Sequence, residues 1–231
     1  MVKSFRAVMT VASMIVAAAA WTAPALAEQK PVSVVAVKAT QAPVIDGKLD
    51  DAAWIDAALA GSKMGGFVTN TGDAISAGQT IVFVTWDDQN LYVAYKNYRQ
   101  DMSKLAASMT DPGSPVWNED DNELFIDPAN DKTSFIQFAW NALGTKWSGL
   151  GDYESWQVAT SKDNQSWTSE VAIPWSLLGV TPAEGLTIGA NFTSHDIQAD
   201  QWNCWSPTFG SFLNAARFGE VTLAAAYVKP E

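Results

Sequence analysis

Residues 80–98 read TIVFVTWDDQNLYVAYKNY, two apolar runs separated by a polar tip. Ile81, Phe83 and Thr85 alternate with Val82, Val84 and Trp86; after Asp87-Asp88-Gln89-Asn90, Tyr92, Ala94 and Lys96 alternate with Val93, Tyr95 and Asn97. β-Branched and aromatic residues repeating every second position suit a pleated strand, and the polar tip makes the pair a hairpin. Working outward, Ser33–Lys38, Glu123–Ile126, Ser134–Trp140, Trp167–Ile173, Thr187–Phe192 and Phe218–Leu223 have the same character. Asp46-Gly47 is a turn pair, and Leu49–Ala57 reads as a helical turn with Trp54 facing inward. Asp101–Ser108 reads as one modest helix, and Pro174 stops a strand before a short helical turn at Trp175–Leu178. Short strands punctuated by turns predict an all-β chain: an antiparallel, jelly-roll-like β-sandwich with one or two short helices. Neither a strand–helix alternation nor a glycine-rich phosphate loop is present, which excludes a parallel nucleotide-binding fold.

The amino terminus has the pattern of an export signal. Lys3 and Arg6 precede an apolar run from Ala7 to Ala20, and Ala25-Leu26-Ala27 offers the small-x-small pattern of a cleavage site. Residues 1–27 are therefore expected to be a cleaved signal peptide. Residues 28–231 are expected to form a single secreted or periplasmic domain without membrane insertion. That segment carries 12 Lys and Arg against 25 Asp and Glu, a formal charge of −13. Such acidity argues against nucleic acid and anionic lipid, and is compatible with neutral sugars, cations or basic partners. Cys204 is the only cysteine, so no intramolecular disulfide can form, and it reads as a partly buried thiol beside Trp202 and Trp205.

The chain holds eleven tryptophans, more than a sandwich of this size needs as core. Trp54, Trp86, Trp167 and Trp175 lie in apolar patterns and are assigned to packing. Trp117, Trp147, Trp156, Trp202 and Trp205 lie among polar, turn-forming residues and are assigned to the surface. An exposed indole suits a sugar because its electron-rich face meets the axial C–H groups of a pyranose. The equatorial hydroxyls then need carboxylate or amide partners in the ring plane. Acidic residues crowd the segment Trp117-Asn118-Glu119-Asp120-Asp121-Asn122-Glu123. A glycosidase needs two carboxyl groups facing each other about 5–10 Å apart, which one short segment does not supply by itself. Clustered oxygen ligands suit calcium better, with Asp120 and Asp121 as the candidates.

Several phrases together resemble carbohydrate-binding module family 9 and its relatives. They are Ile45-Asp46-Gly47-Lys48-Leu49-Asp50-Asp51-Ala52-Ala53-Trp54, the hairpin phrase from Trp86 to Ala94, and Trp117 through Asp127. Glu170-Val171-Ala172-Ile173-Pro174-Trp175 and the closing Phe218-Gly219-Glu220-Val221 complete the set, in the family's order. The resemblance implies a β-sandwich in which two tryptophans clamp a terminal sugar ring, with structural calcium. In that family one clamp tryptophan precedes a binding Glu by six positions, which matches Trp117 and Glu123. It implies a second clamp ring late in the chain, at Trp205 or alternatively Trp202, with Asn203 supplying an amide. The family's Arg on the strand after the acidic motif has no counterpart between Pro128 and Leu150; Gln137 or Lys146 stands in that region.

The expected function is non-catalytic binding of an oligo- or polysaccharide by a tryptophan clamp. Three other readings use the same residues. A haem-binding sandwich would use His195, the sole histidine, with Met64, Met102 or Met109 as a second ligand. A glycosidase would use Glu123 with Asp127 or Asp152, and a partner-binding sandwich would use neither.

Overall fold

The computed structural model describes residues 31–230. The signal-peptide reading of residues 1–27 lies outside the described residues. Among those described, no helix is long and apolar enough to cross a membrane. The strands in chain order are β1 (Ser33–Lys38), β2 (Lys63–Met64), β3 (Val68–Thr69), β4 (Thr80–Trp86), β5 (Asn90–Tyr98) and β6 (Asp121–Asp127). They continue with β7 (Ile136–Asn141), β8 (Lys146–Ser148), β9 (Gln157–Lys162), β10 (Ser166–Pro174), β11 (Thr187–Asp196), β12 (Gln201–Cys204) and β13 (Gly219–Ala224). Two short helices, α1 (Ala52–Ala60) and α2 (Trp175–Leu178), complete the fold.

Hydrogen bonding runs along one path, β8-β7-β6-β11-β13-β1-β4-β5-β10-β9, with β12 pairing β11 and β3. The path folds into two layers. Tyr95 of β5 shows this directly: its ring lies 5.3 Å edge-on from Trp140 of β7, and its hydroxyl donates to the Glu123 carbonyl of β6. Between the layers lie Val82, Val84 and Trp86 from one hairpin arm and Val93 and Tyr95 from the other. Leu124, Ile126, Phe138, Trp140 and Phe192 meet them from the opposite layer. Each such fully buried side chain stabilises the fold by about 1.5–3 kcal/mol relative to exposure.

The hairpin pairs as its alternation predicts, from Thr80 opposite Asn97 to Trp86 opposite Leu91. Most pairings are antiparallel, as expected, and β1 runs parallel to both β13 and β4. Strand β1 crosses from one layer to the other, and a strand so placed is not joined to either neighbour by a hairpin.

Two phrases that are far apart in sequence meet at one carboxylate. Glu170 Oε2 accepts from the backbone N–H groups of Asp46 (2.9 Å) and Gly47 (2.7 Å), and Oε1 accepts from Trp54 Nε1 (2.7 Å). Gly47 has φ +85°, and a Cβ there would stand 2.5 Å from the Thr160 carbonyl carbon. Trp54 then packs with Tyr92, Ala94 and Ala172 beneath α1. The roles of these phrases are structural.

Two expectations are overturned in this part of the chain. Asp101–Ser108 holds only a 3-10 turn at Met102–Lys104, because its N–H groups are drawn to carboxylates elsewhere. Asp120 Oδ2 accepts from Ala106 N, and Glu119 Oε1 accepts from Ser108 N. Trp156, assigned to the surface, is 1% exposed and packs edge-on against Phe138 and Trp140, its indole N–H donating to the Asp152 carbonyl. The four tryptophans assigned to packing, Trp54, Trp86, Trp167 and Trp175, are all buried.

Candidate binding site

Strand β6 presents Leu124 and Ile126 to the inter-layer core, so the two-residue period turns Asp121, Glu123 and Phe125 to the outer face of its layer. Register extends this face into rows. Glu123 lies opposite Ala139 of β7 and Thr193 of β11, and Ala139 in turn lies opposite Trp147 of β8. Phe125 lies opposite Gln137 and Asn191. Asp121 lies opposite Asn141 and His195, and His195 lies opposite Trp202 of β12.

A second apolar cluster covers part of this face. Phe125, Cys204, Phe212, Ala215 and Phe218 are buried together, with Phe135 and Trp202 packed against them. The segment after β12 therefore folds back over the outer face and leaves a cavity of about 360 Å3 beside it. Its lining is Trp117, Glu123, Phe125, Gln137, Trp202 and Phe212, with Asn70, Ser211 and Leu213.

Trp117 sits on a 3-10 turn, Val116–Asn118, anchored by buried Val116 and by buried Glu119. Glu119 accepts from Ser108, Met109 and the Asn141 amide, tying the turn to the sheet. The Trp117 ring meets Trp147 edge-on at 5.2 Å and 86°. Trp202 lies nearly parallel to the His195 ring, with centroids 3.8 Å apart and planes 14° apart. Both cavity tryptophans are only half-buried, so each keeps indole surface available.

Glu123 is buried, 3% exposed, and accepts a hydrogen bond from the Gln137 amide. Burial pushes its carboxyl up to about 7, against the opposing pull of Gln137. Asp121, two residues earlier on the same face, is raised well above the usual carboxylate range, first by burial and then by the Glu123 charge. Its Oδ1 accepts from His195 N, and its Oδ2 has no partner.

The structure therefore brings together Trp117, Glu123, Gln137 and Trp202 of the expected site residues. It does not bring Trp205 or Asn203 there. Trp205 N donates to the Phe192 carbonyl at 3.0 Å, and the ring packs on Phe192 toward the inter-layer core, 5.5 Å away. Gly219 makes room for it, since a Cβ there would come within 2.3 Å of Trp205 Cζ3. Asn203 follows Trp202 on a strand and so points to the other face, where it is fully buried. Asn70, Phe125, Ser211, Phe212 and Leu213 line the cavity without having been expected. Only Phe125 carried a signal, the alternation of β6.

At Asp120, one of the two expected calcium ligands with Asp121, a calcium ion does not fit. A guanidinium already stands in the cation's position, with Arg99 Nε 2.8 Å from Asp120 Oδ1, and the other Asp120 oxygen accepts from Ala106 N. Arg99 also lies 3.7 Å from Asp196 and donates to the His195 carbonyl, all in the interior. Among the described residues, no group of three or more His, Cys, Asp or Glu side chains is arranged to hold a metal ion.

The haem and glycosidase readings find no support in the geometry. The His195 imidazole is buried against Trp202 with Nδ1 2.9 Å from the Trp117 carbonyl, and Met64 lies in the inter-layer core. Asp127 accepts from Asp131 N and Lys132 N, and Asp152 from Glu154 N and Ser155 N; neither lines the cavity with Glu123.

The fold is a β-sandwich with a cavity on the outer face of one sheet layer, between tryptophans. The family model described as carbohydrate family 9 binding domain-like matches residues 45–226, and the chain belongs to that family. It is similar to the exoglucanase XynX of Acetivibrio thermocellus, 29% identical over 193 residues, covering 78% of this chain and 16% of that protein. It is also similar to endo-1,4-beta-xylanase A of Thermotoga neapolitana, 28% identical over 200 residues, with 78% and 17% covered. The chain thus spans about a sixth of the length of these relatives. Two solved structures share the fold, both of a family 9 carbohydrate-binding module from Caldicellulosiruptor kristjanssonii. The complex with glucose has a TM-score of 0.66 at 20% identity, covering 86% of this chain and 99% of that one. The complex with cellotriose has a TM-score of 0.64 at 22% identity, covering 87% and 99%.

Proposed function

We propose that this protein binds a neutral oligosaccharide in the cavity between Trp117 and Trp202 and does not cleave it. The observation that carries this reading is the pairing of Glu123 with Gln137 beside two half-exposed indoles. A pyranose stacked on the indoles through its C–H face directs equatorial hydroxyls sideways, toward that carboxylate and amide. The cavity volume falls within the range of small-molecule sites. Family membership supports the same reading, as do the glucose and cellotriose bound by the two solved relatives. Glu123 is the single carboxylate lining the cavity, whereas glycoside cleavage by the usual route needs a facing pair. Its role is to accept hydrogen bonds from sugar hydroxyls, or to donate one when protonated. The basic and apolar amino-terminal pattern ending in Ala25-Leu26-Ala27 supports export, which would place the cavity outside the cytoplasm.

The test is a tryptophan-fluorescence titration with glucose, cellotriose, xylo-oligosaccharides and manno-oligosaccharides. The expected result is a saturable change with one sugar class and no released reducing sugar. A flat response across the panel from folded protein would sink the reading.

A further inference from the structure

The His195 side chain touches both cavity tryptophans, the ring of Trp202 and the main chain of Trp117. Its position follows from register: it lies directly opposite Trp202 across the β11–β12 pair, so both side chains rise from the same face, and they stack. On its other side, Nδ1 lies 2.9 Å from the main-chain carbonyl of Trp117. A carbonyl can only accept, so the imidazole is the tautomer that carries its proton on Nδ1.

The histidine itself is held from below on three sides. Its N–H donates to Asp121 Oδ1 at 3.1 Å, its carbonyl accepts from Arg99 Nη2 at 2.9 Å, and the ring is in the interior, 5% exposed. Trp117 stands on a 3-10 turn and Trp202 on the four-residue β12, and main-chain pairing alone does not fix the attitude of either ring. A stacked aromatic pair and a carbonyl hydrogen bond are each strong enough to choose among loop and rotamer positions.

Resting on the reading of the cavity given above, we propose that His195 is a positioning residue for sugar binding. It sets the orientation of Trp202 through its ring face and the position of Trp117 through its Nδ1 hydrogen bond, and so the gap that a sugar ring must fit. It need not touch the sugar.

Burial also lowers the imidazole's affinity for a proton, with the Trp117 carbonyl, Asp120 and Asp200 opposing and Arg99 reinforcing the effect. The ring is therefore neutral at pH 7. The charged and titratable groups around it are Asp120 and Asp121 at the start of β6, Arg99 after β5, and Asp200 in the β11–β12 turn.

Two substitutions separate the two contacts. His195→Phe keeps a ring face for Trp202 and loses the donor; His195→Asn keeps an N–H at the position of Nδ1 and loses the face. Cellotriose affinity is measured by calorimetric titration of both, beside the unsubstituted protein and Trp117→Ala. Each His195 variant is expected to bind about three- to tenfold more weakly while unfolding in a single cooperative transition. Trp117→Ala is expected to lose binding altogether. A purely structural histidine would instead shift the unfolding transition and leave cellotriose affinity unchanged; the stacking itself has an optical signature. Acidification below the ordinary histidine value should quench tryptophan emission in the unsubstituted protein, as an imidazolium stacked on Trp202 accepts an electron from the excited indole, and not in His195→Phe. Undiminished affinity in both His195 variants, with binding lost in Trp117→Ala, would overturn the positioning role and leave the cavity reading intact. Undiminished affinity in Trp117→Ala, or no cellotriose binding by the unsubstituted protein, would overturn the cavity reading and this role with it. If one variant fails to fold, the other decides.

Discussion

The Glu123 carboxylate accepts a hydrogen bond from the Gln137 amide across the β6–β7 pair, and both side chains line the cavity between Trp117 and Trp202. A buried acid so placed has a consequence for stability as well as for binding. Its folded-state value, about 7, lies above the ordinary glutamate value of 4.5. The folded protein therefore binds the proton more tightly than the unfolded chain does. The stabilising contribution is complete below about pH 4.5 and is lost as pH rises through about 7. Asp121 shifts in the same direction. Glu123→Gln should thus gain melting temperature relative to the unsubstituted protein as pH is raised from 5 to 8. Each kcal/mol of difference corresponds to about 2–4 °C for a chain of this size. Parallel pH profiles for the two proteins would contradict the buried placement of Glu123.

Arg99 joins the end of β5 to the starts of β6 and the β11–β12 turn through Asp120, Asp196 and the His195 carbonyl. Removing it would leave two buried carboxylates without a counter-charge. Arg99→Ala should lower unfolding stability by about 3–5 kcal/mol, read as a lower urea midpoint. A midpoint within error of the unsubstituted protein would show that the interior pair is solvated instead.

Gly47 combines a left-handed backbone with a Cβ position 2.5 Å from the main chain of Thr160, and its N–H is one of three donors to Glu170. Gly47→Ala should cost about 2 kcal/mol or more, because neither the backbone angle nor the neighbouring main chain can yield cheaply. The same substitution at Gly61, where nothing lies within 4 Å, meets only the backbone strain of φ +80° and should cost less. Thermal unfolding of both variants checks the ordering.

The parts of the fold that were legible in the sequence were those whose burial follows a simple period. The β4–β5 hairpin, β1 and α2 have the predicted positions because apolar alternation or a proline stop marks them. Strand β9, Gln157–Lys162, escaped notice as an edge strand with mostly polar residues, and β12, Gln201–Cys204, is too short and polar to show a period. The expected helix at Asp101–Ser108 gave way to tertiary contacts with Glu119 and Asp120, which no local pattern reveals. Trp117, Glu123 and Gln137 were reached through the resemblance to the family's phrases, and all three line the cavity. The choice between Trp202 and Trp205 was not legible, since it turns on which side of a four-residue strand each ring leaves. Likewise Trp156 looked exposed because Tyr153-Glu154-Ser155 precede it, although its ring closes the inter-layer core.

Trp202, rather than Trp205, is the ring that walls the cavity. Calorimetric titration of cellotriose into Trp202→Ala and Trp205→Ala tests it. If Trp202 walls the cavity and Trp205 belongs to the core, Trp202→Ala loses binding and keeps its melting temperature within a few degrees. Trp205→Ala should melt markedly lower, by about 3–5 kcal/mol of stability, yet bind cellotriose while folded. Binding lost in Trp205→Ala and retained in Trp202→Ala, with both proteins folded, would place the sugar elsewhere and contradict the account.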